Sequence, residues 1–135
     1  MPYSVQQLAQ LAGVTPRTLR WYDTIGLLPA RRAENGYRYY GEDEMLLLQQ
    51  ILFYRALGME LGDIENVVND PAFDAEAALQ SHIETLQRRR SEVDALIHTA
   101  QKTLANLKGE CEMTSEERFE GFKKQMVDEN EQKYG

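Results

Sequence analysis

Nine positions in the C-terminal half of the chain repeat with a fixed step. Leu79, Ile83, Leu86, Arg90, Val93, Ile97, Ala100, Leu104 and Leu107 are separated alternately by four and three residues. That alternation keeps side chains on one stripe of an α-helix, the seam of a coiled coil. The pattern predicts a helix from Ala75 to Lys108, capped by Asp74, ended by Gly109 and roughly 50 Å long at ~1.5 Å per residue. A small domain built from the rest of a 135-residue chain cannot cover such a stripe along its whole length. The seam therefore predicts pairing with a second copy of the chain, with an intramolecular packing helix as the competing reading. Arg90 interrupts the apolar run. Parallel pairing would set it against its own copy, whereas antiparallel pairing gives it a different neighbour.

Charge divides the chain in the other direction. The overall formal charge is -7, which by itself discourages a polyanionic partner. Residues 1–40, however, hold Arg17, Arg20, Arg31, Arg32 and Arg38 against Asp23 and Glu34, a net +3, and the remaining residues carry -10. A basic N-terminal segment on an acidic body is the asymmetry expected of an electrostatic footprint for nucleic acid. The single cysteine, Cys111, excludes an internal disulfide framework and an all-cysteine metal site within one chain. With no long apolar run and no signal-like N-terminus, a soluble, cytoplasmic protein without membrane contact is expected.

The basic segment begins with two short helices. Ser4 and Gln7 have capping-box spacing, and Val5, Leu8, Ala9 and Ala12 place one apolar face on the helix that Gly13 ends. Thr15 is the next cap, and Pro16 occupies the first helical position, where a missing N–H loses no bond. On this second helix Leu19 and Tyr22 share the anchoring face, while Arg17, Thr18, Arg20 and Trp21 occupy the remaining arc. Small Ala9 lies where the two axes must cross, the pattern of a helix-turn-helix. An ordinary helical corner is the bland alternative.

Gly26 closes the second helix, Leu27 and Leu28 turn inward, and Pro29 breaks the chain. Asn35-Gly36 then predicts a β-hairpin through a type I′ turn, both residues taking positive φ, with Arg32, Tyr37, Arg38 and Tyr39 on the strands and Tyr40 inward. A two-stranded ribbon is marginal alone, so it must lean on the helices as a wing. Gly41 opens a third helix with Glu42, Asp43 and Glu44 in its first turn; Met45 to Ala56 is apolar nearly all round and is expected at the buried centre. Leu61, Ile64, Val67 and Val68 give a fourth helix, ended by Asp70-Pro71.

Gly13-Val14-Thr15, Arg17 to Asp23, Ile25 to Leu28 and Asn35 to Tyr40 together resemble the MerR family of bacterial transcription regulators, and Arg55 to Ile64 is similar to that family's second-wing helical pair. The resemblance implies a mainly α fold: a winged helix-turn-helix with a small β-hairpin wing over residues 1–71, then an antiparallel coiled-coil dimerisation helix over 72–108. It further implies a homodimer on near-palindromic double-stranded promoter DNA. The spacer would be over-long, and distortion of the DNA would let RNA polymerase engage both promoter boxes.

A recognition helix lies in the major groove with its N-terminal half at the base edges, where Arg17 and Thr18 are best placed, with the cap Thr15 also expected among the DNA-binding residues. Arg20 and Trp21, one turn on, are expected on phosphates, which position a protein without reading sequence. The family usually has tyrosine or histidine where Trp21 stands; tryptophan keeps an N–H donor and a broad apolar face. Tyr37 and Arg38 in the wing match residues that grip the DNA backbone in the family, Arg55 matches the second wing, and Tyr39 is expected among the DNA-binding residues.

Residues 109–135 hold eight acidic and four basic side chains, a capping box at Thr114 and Glu117, and aromatics at Phe119, Phe122 and Tyr134. They have too little apolar surface for a core of their own, so this tail is expected to be mobile or to borrow contacts from a neighbour. Met113 to Phe122 resembles the junction into the effector domain of TipA-like, drug-sensing members, where a helical domain for a small-molecule effector would follow. The expectation at Gly135 is a shortened form or a short product. No cofactor or metal site is expected: His82 and His98 lie sixteen residues apart on the long helix and read as structural. No nucleophile, base and orienting group recur in an enzyme-like arrangement. An excisionase-type architectural DNA protein is the alternative function, and a coiled-coil interaction module is a third.

Overall fold

The computed structural model describes residues 2–122. In chain order the elements are β1 (Tyr3–Ser4), α1 (Val5–Ala12), α2 (Pro16–Thr24), β2 (Arg31–Arg32), β3 (Arg38–Tyr40), α3 (Glu42–Ala56), α4 (Leu61–Val68), α5 (Ala75–Leu107) and α6 (Ser115–Arg118). The packing divides into two compact units, and the division falls inside α5, between His82 and Ile83.

In the first unit the predicted caps form. The Ser4 hydroxyl accepts from the Gln7 N–H at 3.1 Å, and the Ser4 N–H donates to Gln7 Oε1 at 2.9 Å. Thr15 accepts from the Thr18 N–H at 3.1 Å, with Pro16 opening α2. The core joins Leu8 and Ala9 of α1, Leu19 and Tyr22 of α2, Leu27 and Leu28 of the following turn, and Tyr40 to Leu48, Ile51 and Ile64. Each large apolar side chain removed from water stabilises this unit by roughly 1.5–3 kcal/mol.

The sheet has three strands in the order β1-β3-β2, both pairings antiparallel: Tyr3 lies opposite Tyr40 and Ser4 opposite Tyr39, while Arg31 lies opposite Tyr39 and Arg32 opposite Arg38. β1 escapes sequence reading because two residues carry no periodicity; pairing with β3 makes it a strand. The hairpin turn also differs from expectation. Gly36 has φ +83°, but among the described residues no non-glycine has positive φ, so Asn35 is not left-handed and the turn is not type I′. Instead the Gly36 N–H bonds to the Ala33 carbonyl, the Ala33 N–H to the Tyr37 carbonyl, and Asn35 Oδ1 accepts from the Tyr37 N–H. This is a three-residue loop in which glycine follows a tight turn as a bulge, and the asparagine contributes its side chain rather than its backbone.

α3 is central, though not buried all round. Leu48, Gln50 and Ile51 are buried, whereas Leu46 stays exposed on the side facing α1. The Gly41 N–H is capped by Glu44 Oε1 at 2.8 Å, and Arg31 Nε reaches the same carboxylate at 2.9 Å, tying the wing to the start of α3. At the far end of the unit His82 is buried, stacked on Phe53 with ring centroids 5.4 Å apart and edge-on to Tyr54 at 4.4 Å. Burial pushes its imidazole below the ordinary value and keeps it neutral.

The second unit corrects the expectation for the tail over residues 110–122. Residues 110–122 fold back on their own helix. Thr99 Oγ1 donates to the Glu120 carbonyl at 2.7 Å, Lys102 pairs with Glu117 at 2.7 Å, and Arg118 donates to Asn106 Oδ1 at 2.8 Å. Gly121 closes the contact: a Cβ there would stand 3.3 Å from the Ala95 backbone and the Leu96 side chain. The Glu117 carboxyl is pulled down to about 2 by its bond from Lys102 and by the Thr114 N–H and hydroxyl. Polar bonds and one close backbone approach thus replace the apolar surface the segment lacks. Tyr134 lies outside the described residues.

Candidate nucleic-acid interface

With Leu19 and Tyr22 fully buried, α2 presents Arg17, Arg20 and Trp21 outward; Trp21 is 53% exposed. Thr18 is half-buried, and its hydroxyl lies 2.9 Å from that of Thr15, so the two threonines form one hydroxyl pair at the start of the helix. The side chains assigned to base edges therefore stand at an N-terminus whose backbone partial charge is positive.

Asp23, near the end of α2, organises the wing. Its carboxylate accepts from Arg38 Nε at 2.7 Å, from Arg32 at 3.3 Å and from the Ala30 N–H at 3.2 Å. Burial works to raise its pKa, but the Arg38 bond, the Ala30 N–H and the charges of Arg38 and Arg32 outweigh that and hold it below the ordinary value. Arg32 also donates to the Gly36 carbonyl at 3.2 Å, bracing the hairpin loop. Sequence reading missed this anchor because Asp23 and Arg38 are fifteen residues apart and belong to different elements.

Tyr37 at the wing tip is 75% exposed. Arg38 is partly covered, its Nε committed to Asp23. Tyr39 is half-buried on the central strand between Ser4 and Arg31. Arg55 donates to the phenol oxygen of buried Tyr22 at 2.8 Å, which links the end of α3 to the inner face of α2. Together these contacts hold the cationic side chains of three elements in place.

A concavity of about 350 Å³ gathers Arg20 from α2, Arg32, Tyr37 and Arg38 from the wing, and Ser4, Val5 and Gln6 from the start of α1. Three guanidiniums around one hollow suit a phosphate backbone. Arg32 and the α1 start were not assigned to the site from sequence; the capping box at Ser4, which marks a helix N-terminus with spare N–H groups, is the signal that could have pointed to them. A larger hollow of about 500 Å³ between α1 and α3 is lined by Leu8, Leu11, Met45, Leu46 and Leu52, with Glu42 its only charged residue, and is unsuited to a polyanion.

A family model described as MerR HTH family regulatory protein matches residues 3–70, and one described as MerR, DNA binding matches residues 46–109. The chain belongs to the MerR family. It is 45% identical over 121 residues to the HTH-type transcriptional regulator SkgA of Caulobacter vibrioides, covering 89% of this chain and 48% of SkgA. It is 38% identical over 135 residues to the HTH-type transcriptional activator mta of Bacillus subtilis, covering 99% of this chain and 52% of that protein. With the HTH-type transcriptional activator TipA of Streptomyces coelicolor it shares 41% over 123 residues, 90% of this chain and 49% of TipA. The crystal structure of SkgA from Caulobacter crescentus superposes with a TM-score of 0.88 at 41% identity, over 98% of this chain and 96% of that one.

The chain spans about half the length of these curated relatives. The matched regions are the family's HTH regulatory part and its DNA-binding part. The chain's fold is the family's winged helix-turn-helix followed by a long helix. Among the described residues no helix is long and apolar enough to cross a membrane.

Proposed function

We propose that the chain acts in the cytoplasm as a homodimer that binds a near-palindromic promoter, distorts it so that RNA polymerase can engage, and activates transcription in response to an effector. The domain assignment goes with this reading: residues 1–71 bind DNA, 72–108 dimerise, and 109–135 lead toward an effector-binding region such as the longer relatives have room for. The observation that carries the reading is the hollow shared by Arg20, Arg32 and Arg38 beside the exposed arc of α2.

Arg17 and Thr18, positioned by Thr15, read base edges. Arg20, Trp21, Tyr37 and Arg38 grip phosphates, Tyr39 holds the wing strand in register, and Arg55 steadies α2 through Tyr22 while serving the second wing. Two such units at a fixed separation impose that separation on the duplex. Smooth bending of a 20–30 bp site costs about 1–6 kcal/mol, which extra backbone contacts offset. The names of mta and TipA as activators support the direction of regulation.

Gel-shift titration on DNA from upstream of its own gene, with circularly permuted fragments to read bending, tests the proposal. Tight, salt-dependent binding with a bend is expected; binding without any bend at any effector condition would favour an architectural role, and absence of salt-dependent binding would remove the DNA reading.

A further inference from the structure

α1 and α3 leave an apolar hollow open between them. Among the described residues of the first unit, the exposed large apolar side chains are Leu11, Trp21, Tyr37 and Leu46. Trp21 and Tyr37 belong to the nucleic-acid surface, whereas Leu11, 62% exposed, and Leu46, 45% exposed, both line the hollow of about 500 Å³. Its walls share no residue with the arginine-lined concavity. Single exposed leucines are ordinary, but two that border one cavity of ligand size mark a place where something apolar can bind.

The lining follows from helix periodicity. Glu42, Met45, Leu46, Gln49 and Leu52 fall on one face of α3 by spacings of three and four residues, and Leu8, Leu11 and Ala12 do the same on α1. From Glu42 to Leu52 that face runs roughly 15 Å at ~1.5 Å per residue, with the carboxylate at one end. Three carboxylates open α3. Glu44 accepts from the Gly41 N–H and from Arg31, and Asp43 lies 3.6 Å from Arg31. Glu42, the one that lines the hollow, pairs with no cation among the described residues.

We propose that this hollow binds a primary alkylammonium ion, its chain along the leucines and its ammonium group at Glu42. The chain leaves water against Leu11, Leu46 and Leu52 and against Met45, whose unbranched thioether adapts to a flexible ligand. At the mouth the ammonium keeps part of its hydration and gains the Glu42 charge; a carboxylate head group there would be repelled, and a hydroxyl would gain no charge attraction. Tyr3 is the only aromatic ring in the lining, so stacking favours no planar ring system over an alkyl chain. Leu8 and Leu48, which also line the hollow, belong to the core that seats Leu19 and Tyr22, so the bound chain lies directly on the support of α2.

Methyl NMR titration of the full chain at neutral pH tests it, with n-octylamine, n-octanol and sodium octanoate as probes that share one chain and differ in head group. Octylamine should shift the Leu11 and Leu46 methyl signals and bind about threefold to fivefold tighter than octanol, the size of an exposed ion pair, with octanoate weakest. The preference for amine over alcohol should shrink in high salt and fall to within about twofold in Glu42→Gln, where only the charge is gone. Leu11→Gln with Leu46→Gln should weaken octylamine about tenfold and leave the urea midpoint unchanged, since both side chains are exposed. Equal affinity for amine and alcohol in the unmodified chain would overturn the ammonium assignment, and absence of a saturable shift at Leu11 and Leu46 with all three probes would overturn the site. Movement of those two signals on dilution without any probe would put a second copy of the chain in the hollow and overturn it as well.

Discussion

The recognition helix α2 and the long helix α5 are both amphipathic, yet they are completed in different ways. α2 is nine residues long, and its apolar side, Leu19 and Tyr22, is closed by its own unit. α5 is 33 residues long, and from Ile83 onward its apolar side stays open while its polar side is bonded to the tail. A short helix finds enough neighbours within one small core; a long one outruns them. The first unit can thus present a positioned cationic surface alone, whereas the second leaves its apolar stripe open.

The largest expected effect breaks that contrast from the α2 side. Leu19→Ala should cost about 2–5 kcal/mol and cooperatively unfold the first unit in a urea titration, since it empties a fully buried site. Ile97→Ala, on the open seam, should leave a dilute sample's urea midpoint nearly unchanged while weakening association by sedimentation. Equal losses in both assays would dissolve the distinction. Next in size, Arg17→Ala should lose about 1–3 kcal/mol on the matched site and relax sequence preference, read by gel shift against a scrambled site. Equal loss on both sites would move Arg17 to the phosphate-gripping group.

Thr15→Ala should cost ~1 kcal/mol of stability through the lost cap and free the Thr18 hydroxyl, measured by thermal unfolding. The smallest effects are pH-dependent. Asp23 has a folded pKa below its ordinary 3.8, so it contributes stability above about pH 4 that is lost as pH falls through the folded value. NMR signals of the wing should broaden there before those of the α1–α2 core, and Asp23→Asn should remove the transition. His82 is likewise depressed below 6.5, so its contribution is present above that pH and fades as acidification favours the charged, exposed ring. Replacing it with phenylalanine should flatten the loss of stability as pH falls below 6.5, measured by urea midpoints.

Where the chemistry is local, the chain was legible. The caps at Ser4 and Thr15, Pro16 at the start of α2, and the inward turns of Leu27, Leu28 and Tyr40 involve residues a few positions apart, and each appears as read. Two readings failed, one where a side chain two residues away competes with a backbone preference and one where the partners come from another element. Asn35-Gly36 favours a type I′ turn in isolation, but here the Asn35 side chain accepts the Tyr37 N–H and the loop spans three residues. The tail has too little apolar surface for a core of its own, yet over residues 110–122 Lys102, Thr99 and Asn106 of α5 supply polar partners.

By itself the sequence determined the family, the order of helices, the capped recognition helix and the heptad stripe, because these depend on periodicity and on contacts within a turn or two. Only the tertiary structure decided that Asp23 gathers Arg38, Arg32 and Ala30, that Tyr3–Ser4 completes the sheet, and that the tail takes the polar face of α5. Those contacts span separations of seven to thirty-seven residues. A carboxylate or a strand edge is satisfied by whichever donor the fold brings near, and proximity across such separations is not written in any local pattern.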